Sequence, residues 1–476
     1  MSAFLLYSKQ ISLAPLLSHL KIPSGTTMPS VDPDIVIQWG VNTFSTQDPN
    51  KHVLNGAEGL YNVSNRSLML DLLSWNGIPI LDSRYQAKKV ATVRRYFVPV
   101  FQQQELGLYR SKGRKVWLTN EISANSDDTY EEIKINPSIR EIRKVCRLAV
   151  RSLYAAGLDF GGVLIAIGLN GSINVMDITP TPRLNEGLAL KYARAFRDYI
   201  SQYQPKAPKP VVLGADPEFM FRNQASGKMV LASRFFGKKG RVGCDNISIN
   251  QNRRQHPLAE LRPEPSPEPR QLTVNLYKAM LLAERKIASS SIEWLAGGMP
   301  VKGYPIGGHI HFSQTKVNSS FLRALDSYLA FPLMLLENQH SLARRPKYGF
   351  LGDFRMQFHG GFEYRTLPSW LVSPRVTKGV LSLAKVIAES YTELNQLPVL
   401  NPSIQQAFYE GNKDVMLSAV RSIWGNLEKL PAYFKYHKYI NPLKDSIFRM
   451  EEWDEFKDIR GAWQIPPYSR RKSLVL

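Results

Sequence analysis

The chain is poor in cysteine, with only Cys146 and Cys244 among 476 residues, and these two lie in different halves without a CxxC pair. Neither a disulfide framework nor a cysteine metal site is supported, so we expect a reducing, cytoplasmic compartment. The chain also lacks any run of about 18 uncharged apolar residues. Residues 1–20 lack the basic and apolar regions of an export signal. We therefore predict neither a membrane span nor export.

Acidic residues are also scarce, since 40 Asp and Glu face 61 Lys and Arg, for a formal net charge of +21. Such an excess attracts nucleic acid, anionic polymers, nucleotides or acidic substrates, although a solvated basic surface accounts for it equally well. The basic residues are dispersed, and no helix-turn-helix, zinc finger or aromatic RNP pattern accompanies them. Nucleic-acid binding is therefore a secondary hypothesis.

Residues 307–313 place His309 and His311 at alternate positions between apolar residues. In a β-strand alternate side chains share a face, so both imidazoles point the same way. Three further stretches repeat this spacing with the pairs Asp216 and Glu218, Glu260 and Arg262, and Glu363 and Arg365. Charged residues on a buried strand face are costly unless they pair or hold a metal. We therefore expect four strands that line a shared polar cavity.

The length predicts two or three domains. Residues 201–210, with three prolines among polar spacers, predict an extended linker. We accordingly divide the chain into an N-terminal segment (1–29), an α/β domain (30–200), the linker (201–210) and a C-terminal domain (211–476).

The α/β domain shows alternating strand and helix patterns. The predicted strands are 34–40, 95–102, 116–119, 161–167 and 173–178, the last two forming a hairpin, and the predicted helices are 66–75, 139–157 and 187–200. In the C-terminal domain, helical spacing predicts helices at 273–289, 321–340, 376–394 and 415–427. Short strands separated by such long excursions indicate an α+β fold, an antiparallel or mixed sheet with helices on one face.

Two motifs in the first half, WNGIPILDS at 75–83 and GLDFGGV at 157–163, resemble ATP-grasp enzymes. The chain departs from that family in having Asp177 and Thr179 where a carboxylate and an asparagine usually hold magnesium. In addition, the segment between Ser83 and Tyr96 is too short for the family's nucleotide-clamping subdomain. We therefore interpret residues 30–200 as a truncated, degenerate ATP-grasp-like domain that has lost catalysis, with substrate binding and a scaffold role both left open.

Five ordered motifs in the second half are GADPEF, AELRPEP, GGHIHFS, ARRPKYG and FEYRTLPSW. They resemble the phage-type amidoligases called COOH-NH2 ligase type 2, within the glutamine synthetase and glutamate-cysteine ligase superfamily. The resemblance implies a curved antiparallel sheet that forms a funnel for ATP, with Mg²⁺ held on inward carboxylates. The motifs depart from glutamine synthetases at Asp-Pro-Glu and Gly-Gly-His, which puts ammonia as the amine in doubt.

The resemblance also assigns roles to residues of these motifs. The implied metal ligands are Glu218, Glu260 and Glu363, with His309 as a further ligand or phosphate contact and Asp216 beside them. Arg365 is implied to hold the γ-phosphate, while Arg344, Arg345 and Lys347, and similarly Arg262, clamp phosphates or the acyl substrate.

The implied activity is an ATP- and Mg²⁺-dependent ligase that joins a carboxylate to an amine through an acyl phosphate. The basic charge favours a peptide-like or polymeric anionic substrate, and relatives of this fold often form oligomers. The alternatives are a catalytically inactive binding protein of the same fold and a basic binder of nucleic acid or anionic polymer.

Structural interpretations of the same residues stay open. Ion pairs with Arg262 and Arg365 could stabilise the three glutamates without metal. His309 is preferred over His311 as a ligand, and Arg344 and Arg345 could simply cap the C-terminus of a preceding helix. Core packing is favoured for Tyr348 and Trp370.

Overall fold

A computed structural model of the chain describes residues 2–9, 13–40, 51–82, 91–112, 130–202, 210–248, 254–287, 289–345 and 347–468. The chain divides into two compact units. The first comprises residues 1–207 together with 399–405, and the second comprises residues 208–398 together with 406–476. No helix in the described part is long and apolar enough to cross a membrane.

Within its described residues, the first unit has two sheets and, before residue 208, five helices. Its strands are β1 (Ala3–Tyr7), β2 (Ser24–Gly25), β3 (Ile35–Trp39), β4 (His52–Leu54), β5 (Thr92–Phe101), β6 (Gln104–Glu105), β7 (Tyr109–Ser111), β8 (Tyr130–Glu132), β9 (Phe160–Gly168) and β10 (Ile173–Thr179). Its helices are α1 (Ala14–Leu20), α2 (Ala57–Ser64), α3 (Arg66–Trp75), α4 (Arg140–Ala155) and α5 (Glu186–Gln202). One sheet is parallel, in the order β2-β1-β3-β4, and the other is antiparallel, in the order β10-β9-β5-β7-β8 with β6 beside β5.

An aromatic core lies within the first unit. The Trp39 ring stacks on Phe160 with centroids 5.3 Å apart, and the Phe196 ring meets Phe160 edge-on at 5.1 Å. Residues 1–29, expected as a separate segment, contribute β1, α1 and β2 to this unit, because β1 pairs with β3 along its whole length. Strand β1 is only five residues long and mostly buried, so its sequence pattern does not reveal this partner.

Local patterns in the first unit match its elements closely. The predicted helix 66–75 is α3, and the Asn65 side chain caps it by accepting the Leu68 N–H at 3.2 Å. The predicted hairpin is the antiparallel pair β9 and β10. The predicted strand 116–119 and most of the predicted linker, residues 203–209, lie outside the described residues.

The Asp177 carboxylate, which occupies a magnesium-ligand position in the resemblance to ATP-grasp enzymes, is engaged by Arg66. The guanidinium Nη1 of Arg66 lies 3.4 Å from Asp177 Oδ1, and its Nη2 lies 3.7 Å from Asp82. A protein cation therefore faces both carboxylates.

The described residues of the second unit form a sheet of eight strands together with helices. Its strands are β11 (Val212–Asn223), β12 (Met229–Val230), β13 (Val242–Cys244), β14 (Ala259–Leu261), β15 (Ile292–Leu295), β16 (Gly308–Ser313), β17 (Phe354–Met356) and β18 (Phe362–Tyr364). Its helices are α6 (Pro269–Ile287), α7 (Ser319–Leu325), α8 (Phe331–Met334), α9 (Pro374–Ser390), α10 (Pro402–Glu410, assigned to the first unit up to Gln405), α11 (Lys413–Glu428), α12 (Pro431–Phe448) and α13 (Arg460–Trp463).

The sheet of the second unit runs β13-β14-β11-β16-β18-β17, with β12 and β15 paired to β11, and each of these pairs is antiparallel. Its apolar face is buried, with Phe219, Ile310, Phe312 and Phe362 each 0% exposed. Helix α6 packs against β11, β13 and β14. The predicted α+β class is confirmed, while the specific glutamine synthetase-like arrangement stays a prediction.

One predicted helix is interrupted. Helical spacing suggests a single helix over 321–340, but α7 passes through a π-helical turn, Asp326–Ala330, into α8, which ends at Met334. Pro332 has no N–H to donate to the preceding turn, and a π turn accommodates that missing bond. The segment Gln339–Arg344 is a separate 3₁₀ helix.

Candidate functional site

Strand register gathers the predicted polar residues on one face of the sheet. Asp216 lies directly opposite His309, and His311 lies directly opposite Glu363. On the other side of β11, Glu218 lies directly opposite Glu260. Directly paired residues of antiparallel strands project to the same side. The four predicted strands are therefore brought together around one polar face.

Three side chains from neighbouring strands converge at the centre of this face. Asp216, His311 and Glu363 each offer one ligand atom, and these atoms lie within 4.8 Å of one another. His311 Nε2 lies 2.9 Å from Asp216 Oδ1. Gly214, opposite His311 on β11, leaves room for the imidazole, because a Cβ there would lie 3.2 Å from the His311 Cβ.

The three converging atoms are buried and lack hydrogen bonds. Asp216 Oδ1, His311 Nε2 and Glu363 Oε1 make no hydrogen bond of acceptable geometry within the described part of the chain, although charged groups lie near them. Buried polar atoms are normally hydrogen-bonded. These three atoms have ion-pair contacts with charged neighbours in place of hydrogen bonds, and a cation bound between them would complete their coordination. Carboxylates with an imidazole suit a divalent cation such as Mg²⁺ or Mn²⁺. The residues present thus fit the metal that the sequence implies.

The Asp216 carboxylate is held in its charged form. Burial alone would raise its pKa, but the facing imidazoles of His311 and His309 outweigh burial and hold the pKa of Asp216 well below its usual range. A carboxylate that stays ionised is ready to bind a cation.

His309, the predicted ligand, has both ring nitrogens engaged. Its Nδ1 lies 3.2 Å from Glu363 Oε1 and 3.4 Å from Asp216 Oδ1, and its Nε2 forms a 2.8 Å hydrogen bond with the Tyr348 hydroxyl. Burial would lower its pKa, but the nearby Asp216, Glu218 and Glu363 carboxylates raise the pKa of His309 to about 9. His309 therefore acts in this geometry as a buried cation that holds carboxylates in place.

Glu218 also has partners for both oxygens. Its Oε2 accepts the Gly307 N–H at 2.7 Å, and its Oε1 accepts the Tyr348 hydroxyl at 3.0 Å. Burial raises the pKa of Glu218 to about 7. The sequence favours a core-packing role for Tyr348, whereas in the structure its hydroxyl bridges Glu218 and His309.

Replacing Tyr348 with phenylalanine should lower the free energy of unfolding by about 1–3 kcal/mol, because it leaves buried groups of Glu218 and His309 without their partner. Urea unfolding would measure the loss. Tyr468→Phe is the control, since Tyr468 is 45% exposed and its hydroxyl contributes little when removed. Equal stability of the two variants would contradict a bridging role for Tyr348.

Gly307 is required by the same cluster. A Cβ at this position would lie 2.3 Å from His309 Nε2 and 2.9 Å from the Tyr348 hydroxyl oxygen. Gly307→Ala should therefore displace the imidazole and cost about 1–3 kcal/mol in unfolding free energy. Gly237→Ala is the matched control, because a Cβ there meets no heavy atom within 4 Å. Thermal unfolding of both variants checks this expectation, which fails if they unfold at the same temperature.

Glu260 and Arg262 form an ion pair of their own. The Arg262 Nη2 lies 2.9 Å from Glu260 Oε2 and its Nε lies 3.1 Å from Oε1. Burial, with the nearby Asp216 charge, raises the pKa of Glu260 to about 8 despite this pairing. Both carboxylate oxygens of Glu260 are therefore engaged by Arg262, and a metal-ligand role for Glu260 stays a prediction.

Glu363 is clamped from its outer side by residues that sequence reasoning missed. Its Oε2 accepts hydrogen bonds from Arg355 Nε and Gln357 Nε2, both at 2.7 Å. Arg365 Nε lies 3.0 Å from Glu363 Oε1, and its guanidinium lies 5.7 Å from the Tyr348 ring centroid. Arg355 on β17 and Gln357, the residue after β17, show the same alternate spacing that marked the other strands.

Arg344 and Arg345, predicted phosphate clamps, are buried and used by the fold. Arg344 is 1% exposed, and its guanidinium donates to the carbonyls of Ile306, Thr366 and Leu367 at 2.5–3.1 Å. The Arg345 guanidinium pairs with the Glu337 carboxylate, donates to the Phe408 carbonyl and lies over the Phe408 ring. The Arg344 guanidinium also lies 5.0 Å from the Tyr348 ring centroid, whereas Lys347 is exposed.

The family model for phage phiEco32-like COOH.NH2 ligase-type 2 matches residues 213–465, more than half of the chain. The chain belongs to this family. The match spans the strands that carry Asp216, His311 and Glu363, so the metal-ready cluster lies within the COOH.NH2 ligase region. A comparison with curated proteins finds no match.

Solved structures with partial similarity include several ligases of the ATP-grasp class. The ATP-grasp ligase PsnB, complexed with minimal precursor, Mg and ADP, is 12% identical, with 42% of this chain and 97% of that chain covered and a TM-score of 0.30. A bifunctional glutathione synthetase from Pasteurella multocida is 12% identical, with 54% and 51% covered and a TM-score of 0.35. D-cycloserine synthetase DcsG is 13% identical, with 42% and 100% covered and a TM-score of 0.28. Similarities with such low TM-scores give no information on the function of this COOH.NH2 ligase.

Proposed function

We propose that this COOH.NH2 ligase uses ATP and Mg²⁺ to join a carboxylate to an amine through an acyl phosphate, with the reaction centred on the polar face of the second unit. The observation that carries the proposal is the convergence within 4.8 Å of three buried atoms, one each from Asp216, His311 and Glu363, that have ion-pair contacts but no hydrogen bonds of good geometry. The N-terminal unit is proposed to be a degenerate ATP-grasp-like domain without a catalytic role.

The proposed cation site differs from the ligand set inferred from sequence. Asp216, His311 and Glu363 would hold Mg²⁺, which when bound supplies charge neutralisation for the phosphates of ATP. His309 would position Asp216 and Glu363 through its Nδ1, while Tyr348, itself bound to Glu218, would hold the other side of the imidazole. Glu260 would orient Arg262.

The chemistry requires positioned charge and no enzyme nucleophile. The γ-phosphoryl group of ATP passes to a substrate carboxylate oxygen with release of ADP. The amine nitrogen then attacks the acyl carbon, phosphate leaves, and the nitrogen loses a proton to give the amide or isopeptide bond. Arg365 projects from the same face as Glu363 and is 18% exposed, so its guanidinium can contact the transferring phosphoryl group.

Calorimetry with the non-hydrolysable nucleotide Mg-AMP-PNP tests the proposal. Wild type should bind in the presence of Mg²⁺ and lose binding in EDTA. Arg365→Ala should weaken nucleotide binding by about 10- to 100-fold, the value of one or two charge-assisted hydrogen bonds. Glu363→Gln should remove the Mg²⁺ dependence.

Asp177→Asn in the first unit is the control and should bind nucleotide like wild type, because Asp177 already pairs with Arg66. Unchanged binding in both Arg365→Ala and Glu363→Gln would overturn the ligase proposal in favour of a binding protein. Salt-sensitive binding of nucleic acid without ATP turnover would instead indicate a basic polymer binder.

A further inference from the structure

The sheet of the second unit has two end strands with opposite exposure. At one end β13 is buried, with Val242 at 5% and Cys244 at 2% exposure. At the other end, β17 pairs only with β18 among the described strands. Met356 on β17 is 50% exposed, and Phe358 in the following turn is fully exposed. An exposed edge strand is a template for a further strand.

The hydrogen-bond pattern shows which backbone groups β17 leaves free. The Arg365 N–H donates to the Asp353 carbonyl and the Gln357 N–H donates to the Gly361 carbonyl, both at 2.8 Å. In an antiparallel pair the residues facing the partner alternate with residues facing away. Asp353, Arg355 and Gln357 therefore bond toward β18. The N–H and carbonyl groups of residues 354 and 356 point to the open edge.

We propose that β17 docks an extended acidic peptide as an added strand, and that a glutamate of this peptide supplies the carboxylate for the ligase reaction. The inference rests on the proposed function, because it names the substrate class of the same site. Main-chain hydrogen bonds along an edge strand give affinity, and alternate side chains give specificity.

The register points the peptide's side chains at the site. A residue opposite Arg355 would have its Cα about 4.5 Å from that of Arg355 and would project to the same face. On the other side of β17, Glu363 of β18 pairs directly with Arg355 and projects to that same face. A glutamate side chain extends its carboxylate about 4–5 Å from Cα, given ordinary bond lengths. Its carboxylate would therefore reach the Arg355 guanidinium, which already bonds Glu363 Oε2.

Charge and apolar contacts favour an acidic peptide over nucleic acid. Arg355 has a side chain that is 56% exposed, His359 in the turn after β17 is exposed, and the whole chain carries +21. Met356 and Phe358 add apolar surface at the same edge. The free N–H and carbonyl groups of a β edge have the spacing of a peptide backbone. A phosphodiester chain does not have this spacing of donors and acceptors.

Fluorescence anisotropy with a labelled decaglutamate tests the docking. The comparison probes are decaglutamine, decaglutamate with every second nitrogen methylated, and a ten-nucleotide oligouridylate. Decaglutamate should bind at least about 10-fold more tightly than its N-methylated form, because methylation removes main-chain donors from one edge. Equal binding of these two probes, or tighter binding of oligouridylate, would overturn the proposal.

Variants at position 356 separate backbone from side chain. Met356→Pro removes the outward N–H and should weaken decaglutamate binding by about 10-fold, whereas Met356→Ala keeps the N–H and should change binding less than about 3-fold. Arg355→Ala should remove the preference for decaglutamate over decaglutamine. Equal binding by the proline and alanine variants would contradict strand addition.

Mg-AMP-PNP binding by the same variants distinguishes the two proposals. Met356→Pro should retain nucleotide binding, because residue 356 does not face the polar centre. A wild-type protein that binds Mg-AMP-PNP but not decaglutamate would refute the edge-strand inference alone. A wild-type protein that does not bind Mg-AMP-PNP would refute the proposed function, on which the edge-strand inference rests.

Discussion

Replacing His311 with alanine should weaken binding of Mn²⁺ or Mg²⁺ by more than about 100-fold, since even residues that only orient metal ligands change affinity by about 10- to 100-fold. The expectation follows from the position of His311 Nε2, which is buried without a hydrogen bond and faces the Asp216 carboxylate at 2.9 Å. Calorimetric titration of each cation into the variant and wild type measures the effect.

The same experiment decides between the two histidines of β16. His340→Ala is the control for loss of an imidazole, because His340 is exposed on the 3₁₀ helix, and it should bind metal like wild type. If His311→Ala also binds like wild type while His309→Ala does not, the ligand set inferred from the motifs is correct and the one inferred from geometry is wrong.

Replacing Arg344 with alanine should destabilise the second unit by about 3–5 kcal/mol, because three buried carbonyls lose their donors and each unsatisfied group costs about 1–3 kcal/mol before relaxation or water entry. These carbonyls belong to Ile306, Thr366 and Leu367, which flank β16 and β18. Arg344→Lys should recover only part of the loss, because one ammonium cannot reach three carbonyls as the planar guanidinium does.

Urea unfolding of these variants, with metal binding measured on the folded fraction, tests the structural role of Arg344. Arg285→Ala in α6 is the control, since Arg285 is exposed and its removal should cost less than about 0.5 kcal/mol. An Arg344→Ala protein of unchanged stability with weakened nucleotide binding would restore the phosphate-clamp role inferred from sequence.

The residues of the polar face were recognisable from sequence because strand periodicity is local. Alternate spacing identified Asp216 with Glu218 and His309 with His311, and the register placed all four on one face. The spacing alone could not rank them as ligands, since each histidine occupies an equivalent position on β16. The partner atoms distinguish them: His309 Nε2 forms a hydrogen bond with the Tyr348 hydroxyl, whereas His311 Nε2 faces the Asp216 carboxylate at 2.9 Å.

The basic motif at residues 343–349 shows the opposite case. Arg344, Arg345 and Lys347 look alike as letters, and a cluster of cations is typical of a phosphate site. Burial separates them, because Arg344 and Arg345 are inside the fold and Lys347 is outside. Which carbonyls lie within reach of a long side chain depends on loops far apart in sequence.

The sequence by itself determined the α+β class, the strands that carry charged pairs, and several helices such as α3, because periodicity and caps act within a few residues. The tertiary structure decided which polar atoms are satisfied. Arg355 reaches Glu363 across a hairpin, and Tyr348 reaches Glu218 over 130 positions of sequence. Which of these buried atoms are available to a cation depends on such distant contacts, because a protein group that already binds an atom competes with a cation for it.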